Sequence, residues 1–76
     1  MELQVNDYFR YRIPKFPLKL NGQIIEITDK FYRFRIINSN RKELIGRTAI
    51  FQRDGKIINQ IERISEEESK EDLNKR

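Results

Sequence analysis

Two short segments interleave aromatic residues with arginines, and their parity constrains the fold more than any other feature. In "FYRFRII", residues 31–37, Tyr32, Phe34 and Ile36 fall on one parity, and Phe31, Arg33, Arg35 and Ile37 on the other. "VNDYFRYRI", residues 5–13, repeats the pattern with Val5, Phe9, Tyr11 and Ile13 against Asn6, Tyr8, Arg10 and Arg12. A period of two, rich in aromatic and β-branched residues, argues for half-buried strands. Asp7 interrupts the apolar parity and is expected at the strand entrance, its carboxylate on backbone amides.

Three further strands are expected from the remaining patterns. "GQIIEIT", residues 22–28, is β-branched and is separated from "FYRFRII" only by Thr28-Asp29-Lys30, so the two should pair as a hairpin. "PKFP" at 14–17 lacks two backbone donors and reads as a loop, Asn21-Gly22 as a turn, and "NSNRK" at 38–42 as another loop. "ELIGRTAIFQR" then leads into Asp54-Gly55, a dipeptide suited to a type I′ turn, followed by "KIINQIERI". A two-residue loop there would set Arg53 opposite Lys56, Gln52 opposite Ile57 and Phe51 opposite Ile58. Residues 56–60 thus read as strand, against a rival amphipathic helix carried by the helical spacing of Ile57, Ile58, Ile61 and Ile64.

The chain has 76 residues, which limits it to one domain with a thin core. It contains no cysteine, so packing and backbone pairing must supply the stability that small domains otherwise draw from disulfides or metal sites. Residues 1–64 form the expected domain. Residues 65–76, "SEEESKEDLNKR", hold Leu73 as their one apolar side chain and are expected to be disordered or a frayed helix. Ser65 ahead of three glutamates resembles a helix N-cap, which keeps the helical option open.

Five short strands with turn signals between them predict an all-β fold, a small closed or nearly closed barrel. "VNDYFRYR", a Pro-containing loop, "NGQIIEITDKFYRFRI" and "GRTAIFQRDGKI" together resemble the SH3-like small-barrel superfamily, with its KOW-type and Tudor-type modules. The likeness spans about residues 3–60 and rests on pattern rather than on a signature motif. Where such domains often carry glycine before the aspartate of the first strand, this chain has Asn6, which also tolerates positive φ. The resemblance implies a five-stranded fold and transfers no functional residue.

Composition narrows the chemistry. Histidine is absent, which removes the commonest general base near neutral pH, and the serines at 39, 65 and 69 have neither such a base nor a glycine-rich elbow or phosphate loop around them. No enzyme, cofactor or metal is expected. Convergence of Asp7, Glu26 and Asp29 on a magnesium ion is the one carboxylate arrangement to weigh against solvated charges. No apolar run reaches the roughly 20 residues of a bilayer span, and Met1-Glu2-Leu3-Gln4 has no signal-peptide character, so a cytoplasmic protein without membrane contact is expected.

Charge points to the class of partner. Residues 1–64 carry 13 Lys/Arg against 7 Asp/Glu, net +6, whereas residues 65–76 carry 3 against 5, net −2. A basic body attracts phosphate backbones or acidic protein surfaces. The candidate partner-binding residues are Tyr8, Arg10, Arg12, Phe31, Arg33, Arg35, Arg47 and Arg53: on strands, each arginine row shares a face with one aromatic able to stack on a base. The plain alternative is that the arginine stems cover apolar surface while Tyr8 and Phe31 fill the barrel ends. Nucleic acid, DNA or RNA, is the first partner to test.

A protein-binding module is the rival, with Phe16 in the "PKFP" loop either an exposed anchor or a core plug. Compact Lys-, Ile- and Asn-rich domains of this kind also resemble small proteins of bacteriophages and mobile elements, including inhibitors of host defence enzymes. A further expectation concerns the acidic tail, which either solubilises or folds over the basic body as an electrostatic self-screen.

Overall fold

A computed structural model describes residues 3–12, 17–71 and 73. Five antiparallel strands form one sheet: β1 (Tyr8–Arg12), β2 (Lys19–Ile27), β3 (Phe31–Ser39), β4 (Thr48–Gln52) and β5 (Ile61–Ile64), in the order β4-β3-β2-β1-β5. Two 3-10 turns, Lys42–Leu44 and Lys56–Gln60, and one helical turn, α1 (Glu66–Ser69), complete it. Among the described residues no helix is long and apolar enough to cross a membrane.

The inner face follows the parity of the aromatic segments. Phe9, Ile24, Tyr32, Phe34, Ile36 and Phe51 are all buried in one cluster. The Phe9 ring on β1 meets Phe34 at 5.1 Å and Phe51 on β4 at 5.8 Å, both edge-on. Because β1 and β4 are separated by two strands, that second contact requires a strongly curled sheet. Gly22 permits the curl: a Cβ there would lie 2.6 Å from Phe9 Cζ and 2.9 Å from Phe34 Cδ2.

The β2–β3 hairpin turns at Asp29-Lys30, where the Thr28 hydroxyl accepts from the amides of Lys30 and Phe31 at 3.3 and 3.1 Å. Two register shifts, at Asn21/Gly22 and Ile24/Glu26, set the pairs Asn21↔Asn38 and Glu26↔Arg33 on the outer face. They also explain the run Ile24, Ile25, Ile27: Ile25 is the extra residue of a bulge. Asn6 takes φ 77°, and Asp7 Oδ2 accepts the Gln4 amide at 2.8 Å, both as read from the sequence.

Four expectations are corrected. Val5 is exposed, because the turn at Asn6 ends the alternation before the strand begins at Tyr8. Asn21-Gly22 is not a turn but lies inside β2, since Gly22 is required beneath the aromatic rings. Asn38 and Ser39 continue β3 rather than opening a loop, paired with Asn21 and Leu20.

Most consequential, Asp54-Gly55 forms no type I′ hairpin: Gly55 has φ −76°, residues 56–60 are 3-10 helix, and β5 begins only at Ile61. The facing pairs Arg53/Lys56, Gln52/Ile57 and Phe51/Ile58 therefore do not form. Instead β5 crosses to pair with β1, Tyr11↔Ile61 through Tyr8↔Ile64. A hairpin would have left that edge of β1 bare, whereas the crossing covers it and lets Ile57 and Ile58 pack against the core.

Candidate binding face

The outer face of the sheet divides into an open half and a covered half. On β3, Phe31, Arg33 and Arg35 point outward and stand opposite Gln52, Ile50 and Thr48 of β4. Arg33 and Arg35 are exposed, Phe31 is half-buried, and Ile50 is 57% exposed. Arg33 bonds Glu26 Oε1 at 2.8 Å and places its guanidinium 5.9 Å from the Phe31 ring centre. Among the described residues Arg35 has no carboxylate within ion-pairing distance.

Tyr8 belongs to the same face. It pairs with Gln23, which pairs with Arg35, so ring and guanidinium flank one glutamine across two strand spacings, about 10 Å. At the hairpin end, Asp29, Lys30, Phe31, Ile50, Gln52 and Arg53 contribute to an open groove of about 600 Å³. Arg53 donates to the Thr28 carbonyl at 3.0 Å and lies 5.4 Å from the Tyr32 ring centre, so it faces the sheet's end rather than the β3 row. Arg47 precedes β4 on the opposite parity from Arg33 and Arg35, and its Nε donates to the Glu43 carbonyl at 3.1 Å.

The covered half corrects the expectation that Arg10 and Arg12 form a free patch. The last described residues fold back across β1–β3. Arg10 reaches Glu71 at 2.8 Å, Glu62 at 3.4 Å and Glu68 at 3.8 Å, and Arg12 reaches the same Glu71 Oε1 at 3.5 Å. The Asn21 amide, fully buried, donates to the Ser69 carbonyl at 3.0 Å, and the Asn38 amide donates to the Glu71 carbonyl. Ile64 and Leu73 are buried as well, outside the main core cluster.

A capping box makes this return possible. Glu68 N–H donates to Ser65 Oγ, and Ser65 N–H donates to Glu68 Oε1, both at 3.1 Å. The Ser65 backbone N–H, then its side chain, and to a lesser degree Arg10, hold the Glu68 carboxyl below the ordinary glutamate range. Burial, and next the charge of Arg10, lower the Arg12 value against the opposing pull of Glu71 and Glu62. Arginine starts so high that Arg12 stays cationic at any physiological pH.

Of the eight residues singled out by sequence, the fold thus brings Phe31, Arg33 and Arg35 onto the open half of one face, with half-buried Tyr8 at its border with the covered half. Arg10 and Arg12 lie under the tail, Arg47 stands apart, and Arg53 shares the groove at the hairpin end with Phe31 and Ile50. Phe16 lies outside the described residues. Sequence reasoning missed Ile50, Gln23 and Thr48, which join the face through cross-strand register, and Asn21 and Asn38, whose role depends on the bulge between them. Asp7, Glu26 and Asp29 do not gather into a group of three metal-binding side chains among the described residues.

Compared with protein-family models, curated proteins and solved structures, the chain matches none.

Proposed function

We propose that this protein is a non-enzymatic binding module of the SH3-like small-barrel type that takes single-stranded nucleic acid along the outer face of β3. The barrel reading is supported by the pairing of first and last strands, the Phe9–Phe51 contact across the curled sheet, and Asn6 at positive φ before Asp7. The observation that carries the binding reading is the open row of Phe31, Arg33 and Arg35, with Tyr8 on the same face. Aromatic faces stack on unpaired bases, while arginines contact phosphate.

Fluorescence anisotropy with single- and double-stranded DNA and RNA oligonucleotides at two salt concentrations tests it. A phosphate-binding face gives affinity that falls steeply with salt, and Arg33→Ala with Arg35→Ala weakens it further. No binding at low salt would sink the reading.

One observation favours a second reading, a protein-binding module. Ile50 is exposed on β4, which has no further strand beyond it among the described residues. An extended partner segment can add to such an edge through backbone hydrogen bonds.

A further inference from the structure

We propose that Arg10, Arg12, Asn21 and Asn38 form a second anion-binding half-site on the outer face, one that the C-terminal segment occupies as an intramolecular stand-in for a polyanionic ligand. The inference rests on the nucleic-acid reading above and extends it. Four side chains from three adjacent strands converge on one short segment. Two guanidinium groups meet at a single carboxylate oxygen of Glu71, at 2.8 and 3.5 Å. Two amides take main-chain carbonyls two residues apart, at Ser69 and Glu71.

The carboxylates are the solvent-reachable part of this contact. Glu62, Glu68 and Glu71 keep 68%, 54% and 44% of their side-chain surface in solvent, so salt and competing anions reach them. Arg10 is the opposite case: its side chain is 22% exposed, and among the described residues its buried Nε has no hydrogen-bond partner. Tyr8 lies beside Arg10 on β1 with the same outward parity, so the covered half-site adjoins the open row directly. A strand lying along Phe31, Arg33 and Arg35 and past Tyr8 reaches Arg10 and Arg12 once Glu71 is displaced.

The test uses two double variants of the full chain that add the same net charge. Glu68→Gln with Glu71→Gln neutralises the two carboxylates that the C-terminal segment sets on Arg10 and Arg12, leaving Glu62 of β5 in place, and glutamine at 68 preserves the capping box. Glu66→Gln with Glu67→Gln adds the same charge away from both arginines, and serves as control.

With a labelled single-stranded oligonucleotide, the first variant should bind on the order of tenfold tighter than the control at low salt. Its log–log salt slope should steepen by about 1.4, two further phosphate contacts at about 0.7 each. Equal behaviour of the two variants overturns the inference while leaving the nucleic-acid reading intact. Binding by the first variant alone, with none by the unaltered chain, supports the covered half-site and shows the open row to be insufficient. Absence of binding by all three overturns both.

Discussion

Arg10 on the first strand donates to Glu71, 61 residues later, at 2.8 Å, and this pair joins the chain's basic body to its acidic end. The arginine is mostly buried and the glutamate nearly half exposed, so the pair falls between a surface ion pair and an interior one. Its geometry accounts for the closed half of the outer face.

Replacing Arg10 by methionine keeps an apolar stem but removes the cation facing Glu62 and Glu68 and leaves Glu71 with Arg12 alone. Exposed pairs contribute about 0.2–1 kcal/mol and breaking a buried one costs about 3–5, so a loss of about 1–2 kcal/mol is expected. Urea denaturation measures it, and a cycle with Glu71→Gln isolates the coupling. An unchanged midpoint would show that the carboxylates are fully satisfied by water.

Gly22→Ala is expected to cost about 2–3 kcal/mol despite ordinary backbone angles, because the added methyl would meet the rings of Phe9 and Phe34 inside 3 Å. Thermal unfolding reads the loss directly. A neutral result would mean that the Phe9–Phe34 edge contact has room to shift.

Asn21→Ala removes the donor to Ser69 and should loosen the end of the chain before it affects the sheet. A loss of about 1–3 kcal/mol is expected for a buried amide whose partner carbonyl is left unsatisfied. Hydrogen exchange should show faster exchange at Ser69 and Lys70 than at Ile24. Uniform acceleration would instead place Asn21 in the global fold.

Glu68 makes the C-terminal turn sensitive to acid. Its folded-state value is lowered, chiefly by the Ser65 backbone N–H, so its contribution is present above the ordinary glutamate range and disappears as pH falls through the folded value. NMR titration should find Glu68 ionising below the ordinary glutamate range, and Ser65→Ala should move it back upward. An ordinary glutamate value for Glu68 in the unaltered chain would contradict the capping box.

Ile50→Lys is expected to change stability by no more than about 0.5 kcal/mol, since the side chain is exposed. On the nucleic-acid reading it maintains or raises oligonucleotide affinity. On the strand-addition reading it blocks the β4 edge, so a partner bound there should be lost while the chain's melting temperature stays unchanged.

The local half of this picture was legible in the residues. Alternation in "FYRFRII" placed Tyr32, Phe34 and Ile36 inside and Phe31, Arg33 and Arg35 outside, because side-chain direction in a strand is a property of the backbone alone. Asn6 at positive φ and Asp7 on the Gln4 amide were readable for the same reason: both are interactions within a few residues. Asp54-Gly55 misled because a turn preference worth little was outweighed by covering the β1 edge with β5.

Which arginines remain open was decided only by tertiary structure. Arg10 and Arg33 each stand between a phenylalanine and a tyrosine on an alternating strand and point outward, and their local pattern does not separate them. Arg10 is covered because the bulge at Asn21/Gly22 brings Asn21 opposite Asn38, and those amides hold the backbone of Ser69 and Glu71 over β1. Charge runs carry no periodicity that fixes where they dock. Their placement depends on distant hydrogen-bonding partners that become neighbours only once the sheet has formed.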